Sequence, residues 1–138
     1  MIGEWIDNRI DQIYSRVKSK TISALKTEYP DINFTMDDSE NTPAKFPNVY
    51  MYFDVTERAQ TLDGQSINAV YMTVRTKVSA SKAQGNLVAK KVNSTVRNEM
   101  KLLRFNTSGS PIPTTSGDVK VINSNYGRVV GHNDPLIN

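Results

Sequence analysis

FPNVYMYFDV (residues 46–55) and INAVYMTVRTKV (residues 67–78) are the two runs on which the rest of the chain is built. In the first, Val49, Met51, Phe53 and Val55 alternate with Tyr50, Tyr52 and Asp54. In the second, Val70, Met72, Val74 and Val78 alternate with Tyr71, Thr73, Arg75 and Lys77. Successive strand side chains point to opposite faces, so alternation over this length predicts two strands covered on one side only. The cover follows in sequence. From about Lys82 to Arg104, Val88, Val92, Val96, Met100 and Leu103 line one stripe of an amphipathic helix, with Ser81 as its N-cap.

Outward from this unit, residues 3–28 predict a first helix, with Ile6, Ile10, Ile13, Tyr14, Val17 and Leu25 on one side. Glu4, Asp7 and Asp11 lie early and Lys18, Lys20 and Lys26 late, which suits the helix dipole, and Tyr29-Pro30 ends the helix. INFTM (32–36) predicts a short strand. Polar composition predicts mobile loops near 37–47, 56–66 and 106–118, the middle one carrying an Asp63-Gly64 turn signal. VKVIN (119–123) and YGRVVG (126–131) predict a closing hairpin around Ser124-Asn125, followed by a flexible C-terminal tail. The expected order is α-β-β-β-α-β-β in a single domain, 1–138. This is an α+β fold, a mostly antiparallel sheet of about five strands with two helices packed on one face.

Composition narrows the function. With 38% hydrophobic and 22% charged residues the chain reads as a globular domain, and no apolar run approaches membrane-spanning length. MIGEWIDNRIDQIY interleaves charged and apolar residues, which is not the pattern of a signal peptide. Without cysteine there is no disulfide framework, thiolate nucleophile or thiolate metal site, and an intracellularly assembled protein is expected. The single histidine, His132, has no partner at a recognisable spacing, and Asp37-Asp38 alone is a thin basis for a cation site. Phosphate-loop, dinucleotide, zincin and nucleophile-elbow motifs are absent. No enzyme, metal or cofactor is expected.

Charge is unevenly spread. Residues 28–63 carry eight acids and two bases, whereas residues 64–104 carry eight bases and one acid. Adjacent blocks of opposite sign suit head-to-tail self-association. The basic helix face, Lys82, Lys90, Lys91, Arg97, Lys101 and Arg104, joined by Arg75 and Lys77, is compatible instead with phosphate contacts in a nucleic-acid-binding module.

FPNVYMYF, then VTERAQTLDGQSINAVYMTVRTKVSASK, then a basic helix ending MKLLRFN, resembles the tail terminator proteins of long-tailed, siphovirus-type bacteriophages, the lambda type and its relatives. The closing GRVVGHNDP is similar too, and the resemblance spans nearly the whole chain. It implies a structural virion protein located at the tail–neck junction. Such proteins form a homo-oligomeric ring, usually hexameric, that caps the tail tube, ends its polymerisation and offers the surface for head–tail joining. The implied partners are further copies of the chain, the major tail tube protein, a neck or head-completion protein and DNA passing through the lumen, with no membrane. A different neck or head-completion connector fits the same pattern. Joined with the charge blocks, this reading makes Asp54, Glu57, Arg58, Asp63, Arg75, Lys77, Lys90, Arg97 and Lys101 the candidate subunit or tube interface.

Overall fold

In a computed structural model of the chain, the described residues are 4–36, 46–57, 69–108, 113–116, 119–131 and 136. They form the helices α1 (Glu4–Leu25) and α2 (Gly85–Leu102) and the strands β1 (Asn33–Thr35), β2 (Asn48–Glu57), β3 (Ala69–Ser81), β4 (Asn106–Ser108), β5 (Thr114–Ser116) and β6 (Val119–Gly131). One sheet runs β1-β2-β3-β6-β4, with β5 also on β6, and every pairing is antiparallel except β1 with β2. The fold is α+β, in the expected order as far as α2.

The register explains the core. Val49 lies opposite Val78, Phe53 opposite Val74, Val74 opposite Tyr126 and Val70 opposite Val130, so the apolar positions of three strands share one face. Against that face pack Ile6, Ile13, Val17 and Leu25 of α1 and Val92, Val96 and Met100 of α2, in one continuous cluster. Each fully buried aliphatic side chain contributes about 1.5–3 kcal/mol, so this face holds the fold together. Phe34 carries the cluster onto β1 and meets Tyr14 edge-on, with ring centroids 6.3 Å apart.

Local chemistry sets the limits of α2. Ser81 Oγ accepts the Gln84 N–H at 3.2 Å and Gln84 Oε1 accepts the Ser81 N–H at 3.1 Å, a reciprocal pair that closes the turn between β3 and α2. Ser81 is therefore not the N-cap of α2, a place taken by Gln84, which makes no side-chain cap hydrogen bond. Gly85 then takes φ +78°, a left-handed conformation that glycine adopts without penalty. The α-helix therefore starts there and not at Lys82. At the other end Arg104 adopts φ 68°, its N–H bonds Lys101 O at 2.8 Å, and the Phe105 N–H bonds Met100 O at 3.0 Å. That is a Schellman stop with arginine in the position usually given to glycine. Arg128 of β6 supports it by donating from Nη1 to Leu103 O at 2.6 Å.

Two sequence expectations are corrected after α2. Ser124-Asn125 is not a turn, because β6 is one strand of 13 residues running straight through it. The alternation continues there: Ile122, Ser124 and Tyr126 are buried while Asn123 and Asn125 are exposed. Ser124 is polar because its Oγ donates to Asn93 Oδ1 of α2 at 3.2 Å, not because the chain reverses. The 106–118 segment, expected as loop throughout, contributes β4 and β5 to the free side of β6, which gives six strands instead of five.

Candidate functional site

The two helices cover one face of the sheet; on the other, the row Asn48, Ser79 and Val121 is buried, and the rows beyond it are largely exposed. On the open face, pairing across β2, β3 and β6 lines up two consecutive rows of like composition. Tyr50, Lys77 and Asn123 form one; Tyr52, Arg75 and Asn125 form the next. Tyr50, Tyr52, Arg75, Thr76, Lys77 and Asn123 line a shallow concavity of about 270 Å³. Tyr52, Tyr71 and Val129 are about 40% exposed here, so the face offers aromatic and apolar area as well as charge. Asp54, opposite Thr73, borders the cations, yet among the described residues neither Arg75 nor Lys77 forms an ion pair. Strand geometry puts the two cations about 6–7 Å apart along β3.

The helix layer on the other side carries a different set. Lys90 and Lys101 are exposed on α2. Lys91 is tied to Glu28, just beyond α1, by an ion pair. The hydrogen bond to Glu28 raises the Lys91 pKa above 10.5, against a smaller opposing effect of desolvation. On the outward side of α1, Glu4, Asp7 and Asp11 are exposed at spacings of three and four.

Between the layers lies a small buried polar group. Thr76, Ser124 and Tyr126 of the sheet meet Asn93 and Arg97 of α2. Burial pushes the Tyr126 phenol above its ordinary value, opposed by Ser124, Thr76 and the Arg97 charge. The Tyr126 hydroxyl is near enough to Ser124 and Thr76 to sense them, but it makes no well-formed hydrogen bond. Ser124 is bonded to the Asn93 amide, and no base reaches it among the described residues.

The structure does not bring the expected interface residues into one patch. Asp54, Arg75 and Lys77 share the open sheet face, whereas Lys90 and Lys101 lie on the helix layer. Arg97 is not on the outer basic stripe. It stands one turn beyond Asn93, half-buried, with Nε enclosed beside the polar group. Arg58, Asp63 and the Glu57 side chain lie outside the described residues, as do Asp37, Asp38 and His132. Of the acidic block, Glu28 is used within the chain and Asp54 sits beside the cations of the sheet, while Asp37, Asp38, Glu40, Asp63 and the Glu57 side chain lie outside the described residues. Two features escaped the sequence reading. The paired tyrosine–cation–asparagine rows need the register of three strands to be seen. The acidic side of α1 was legible in its spacing, but was read as serving the dipole alone.

No protein-family model matches the chain, and comparison with curated proteins finds no match. Among the described residues no group of three or more His, Asp or Glu is arranged to hold a metal ion, and no helix is long and apolar enough to cross a membrane. The described surfaces carry cations and phenols on the sheet, and separated acidic and basic groups on the helices.

Proposed function

We propose that the chain is a ring-forming structural subunit of the phage tail terminator type, one that caps a tail tube and presents a surface for head joining. The observation that carries this reading is two-sidedness. One side of the molecule is a largely exposed sheet face, with tyrosines and with cations that form no ion pair among the described residues; the opposite side is a helix layer of different charge pattern. Two unlike surfaces on opposite sides are what heterologous, head-to-tail association requires, and such association closes into a ring when the rotation permits. The resemblance over residues 46–106 and the α+β order support the same reading. Electron microscopy of tail tubes polymerised with and without the protein tests it. Rings at tube ends and tubes of limited length are expected. Unaltered tubes with no density at their ends reject it, and rings that bind only the head vertex assign the chain to another neck connector.

A second reading has its own observation. Tyr50 and Tyr52 beside Arg75 and Lys77 combine ring surfaces with cations at a spacing that suits a single-stranded nucleic acid. This moves the nucleic-acid alternative from the basic helix to the sheet. Salt-dependent binding of a labelled single-stranded oligonucleotide by a monomer favours it over the ring.

A further inference from the structure

We infer that the open face of the sheet is the docking surface for a second copy of this chain, which seats the acidic side of its α1 on the concavity between Tyr50, Tyr52, Arg75 and Lys77. The inference rests on the ring reading above and names its interface. Three observations carry it. The open face holds two cations with no ion-pair partner among the described residues, set among exposed phenol rings. The exposed side of α1 carries Glu4, Asp7 and Asp11, likewise with no ion pair among the described residues. These two patches lie on opposite layers of the same molecule, so neither can satisfy the other within one chain.

The spacings agree. Asp7 and Asp11 are one helical turn apart, about 6 Å along the axis. Arg75 and Lys77 are two strand residues apart, about 6–7 Å. A helix laid along β3 can therefore place each carboxylate beside one cation. Tyr50 and Tyr52 flank that line on β2, and Asn123 and Asn125 flank it on β6, so both sides of the seat offer hydrogen-bonding groups. Tyrosine and arginine are the residue types enriched where binding energy concentrates at protein interfaces. Asp54 at one end of the concavity repels a helix that approaches in the reverse direction or out of register, which gives the seat a polarity. Because the docking patch and the docked patch differ, every copy still has one of each free until the assembly closes.

Charge exchange tests this. The sheet variant is Arg75→Glu with Lys77→Glu; the helix variant is Asp7→Lys with Asp11→Lys. Asp7, Asp11 and Arg75 are exposed and Lys77 is half-covered, and circular dichroism with thermal melting confirms that each variant folds. Self-association of the full chain is measured by sedimentation velocity at low salt. Carbodiimide coupling of a mixture of unlabelled and nitrogen-15-labelled chains captures contacts too weak to sediment. Either variant alone is expected to lose at least about tenfold in self-association, and an equimolar mixture of the two to regain it, since each then offers what the other lacks. Coupling is expected between Lys77 of one chain and Asp7 or Asp11 of another. Undiminished association of both folded variants, failure of the mixture to recover, or absence of that coupling overturns the interface. Loss of single-stranded oligonucleotide binding in the sheet variant, with self-association intact, assigns the face to nucleic acid and also overturns it. The two levels separate cleanly. If the wild-type protein caps tail tubes while the exchanges change nothing, the interface falls and the ring reading stands. If the exchange rescue succeeds while tubes are never capped, the interface stands and the terminator role falls.

Discussion

The two faces of β3 belong to the same thirteen residues and obey opposite rules. On one side Val70, Met72, Val74, Thr76, Val78 and Ala80 are all buried; on the other, Tyr71 and Arg75 are exposed, Thr73 and Lys77 are half-covered, and only Ser79 is buried. The inner side is constrained by shape and by the absence of water, so its composition speaks of stability. The outer side is largely free of that constraint and still carries three tyrosines from two strands and two cations with no ion pair among the described residues, so its composition speaks of contact with something else. The difference teaches where to look for function in a chain with no catalytic constellation among its described residues: on the side that folding does not require.

The largest expected effect breaks the comparison at its strongest point. Val92 of α2 is fully buried against the inner face, whereas Tyr52 on the outer face is 43% exposed. Val92→Asp buries a carboxylate without a partner and is expected to cost about 3–5 kcal/mol or to abolish folding. Tyr52→Asp is expected to cost less than about 1 kcal/mol, because the new charge stays in water beside Arg75. Urea denaturation of the two variants reads the contrast directly. Comparable losses would mean that the outer face is part of the core.

The inner face also contains an exception to its own rule. Thr76 is 2% exposed, yet its hydroxyl has no hydrogen-bond partner among the described residues. Thr76→Val exchanges that hydroxyl for a methyl of similar size and is expected to stabilise the fold by about 1 kcal/mol, the reverse of the usual sign for a core substitution. A lowered urea midpoint would show that the hydroxyl is satisfied in solution. Tyr126 beside it supplies a pH test. Burial raises its phenol above the ordinary 10.0, so the folded chain holds the proton at pH values where the unfolded chain releases it. Its contribution is fully present below pH 10 and is lost as pH rises from the unfolded pKa through the folded one. Tyr126→Phe is accordingly expected to flatten the fall in stability above that pH, as read from denaturation midpoints on either side of it. An unchanged slope would mean that the phenol ionises equally well in the folded state.

The inner face was the legible one. Alternation in 46–55 and 67–78, and the stripes Ile6–Val17 and Val92–Met100, are local patterns, and local patterns report which side of an element is buried. The same reasoning failed at Ser124-Asn125, because a polar residue inside a strand looks like a turn until its partner, Asn93, is known to lie across from it. It failed at β4 and β5 because strands of three residues add to an existing edge with little hydrophobic signal of their own. Arg97 falls outside the apolar stripe of Val92, Val96 and Met100, so the pattern assigns it to the outer basic face, while its position one turn beyond Asn93 turns its Nε inward. The outer rows were illegible for a different reason. Tyr50, Lys77 and Asn123 come from three separate strands, and only the register assembles them. Charge summed along the sequence does not say which surface a residue occupies, since strands that neighbour each other in the chain can present acids and bases to the same surface, as Asp54 and Arg75 do.

The smallest expected effect asks whether the outer face yields where the inner face cannot. Gly127 of β6 lies under the ring of Tyr71, and a Cβ there would overlap the tyrosine hydroxyl and its ring carbon. Tyr71 is 39% exposed, so the ring has solvent to swing into, and Gly127→Ala is expected to cost only about 0.5 kcal/mol. Ala80 on the inner face, packed against Ala89 and Ile122, has no such escape, and Ala80→Leu is expected to cost about 1–3 kcal/mol. The decisive variant is Gly127→Ala in a Tyr71→Ala background. With the ring gone, the three atoms nearest the new methyl are removed, and alanine reduces the conformational freedom that glycine gives the unfolded chain. The effect should then change sign and stabilise by about 0.5 kcal/mol. If Gly127→Ala costs the same with and without the ring, the glycine is required by the backbone of β6 and not by Tyr71, and the outer face is as tightly specified there as the core.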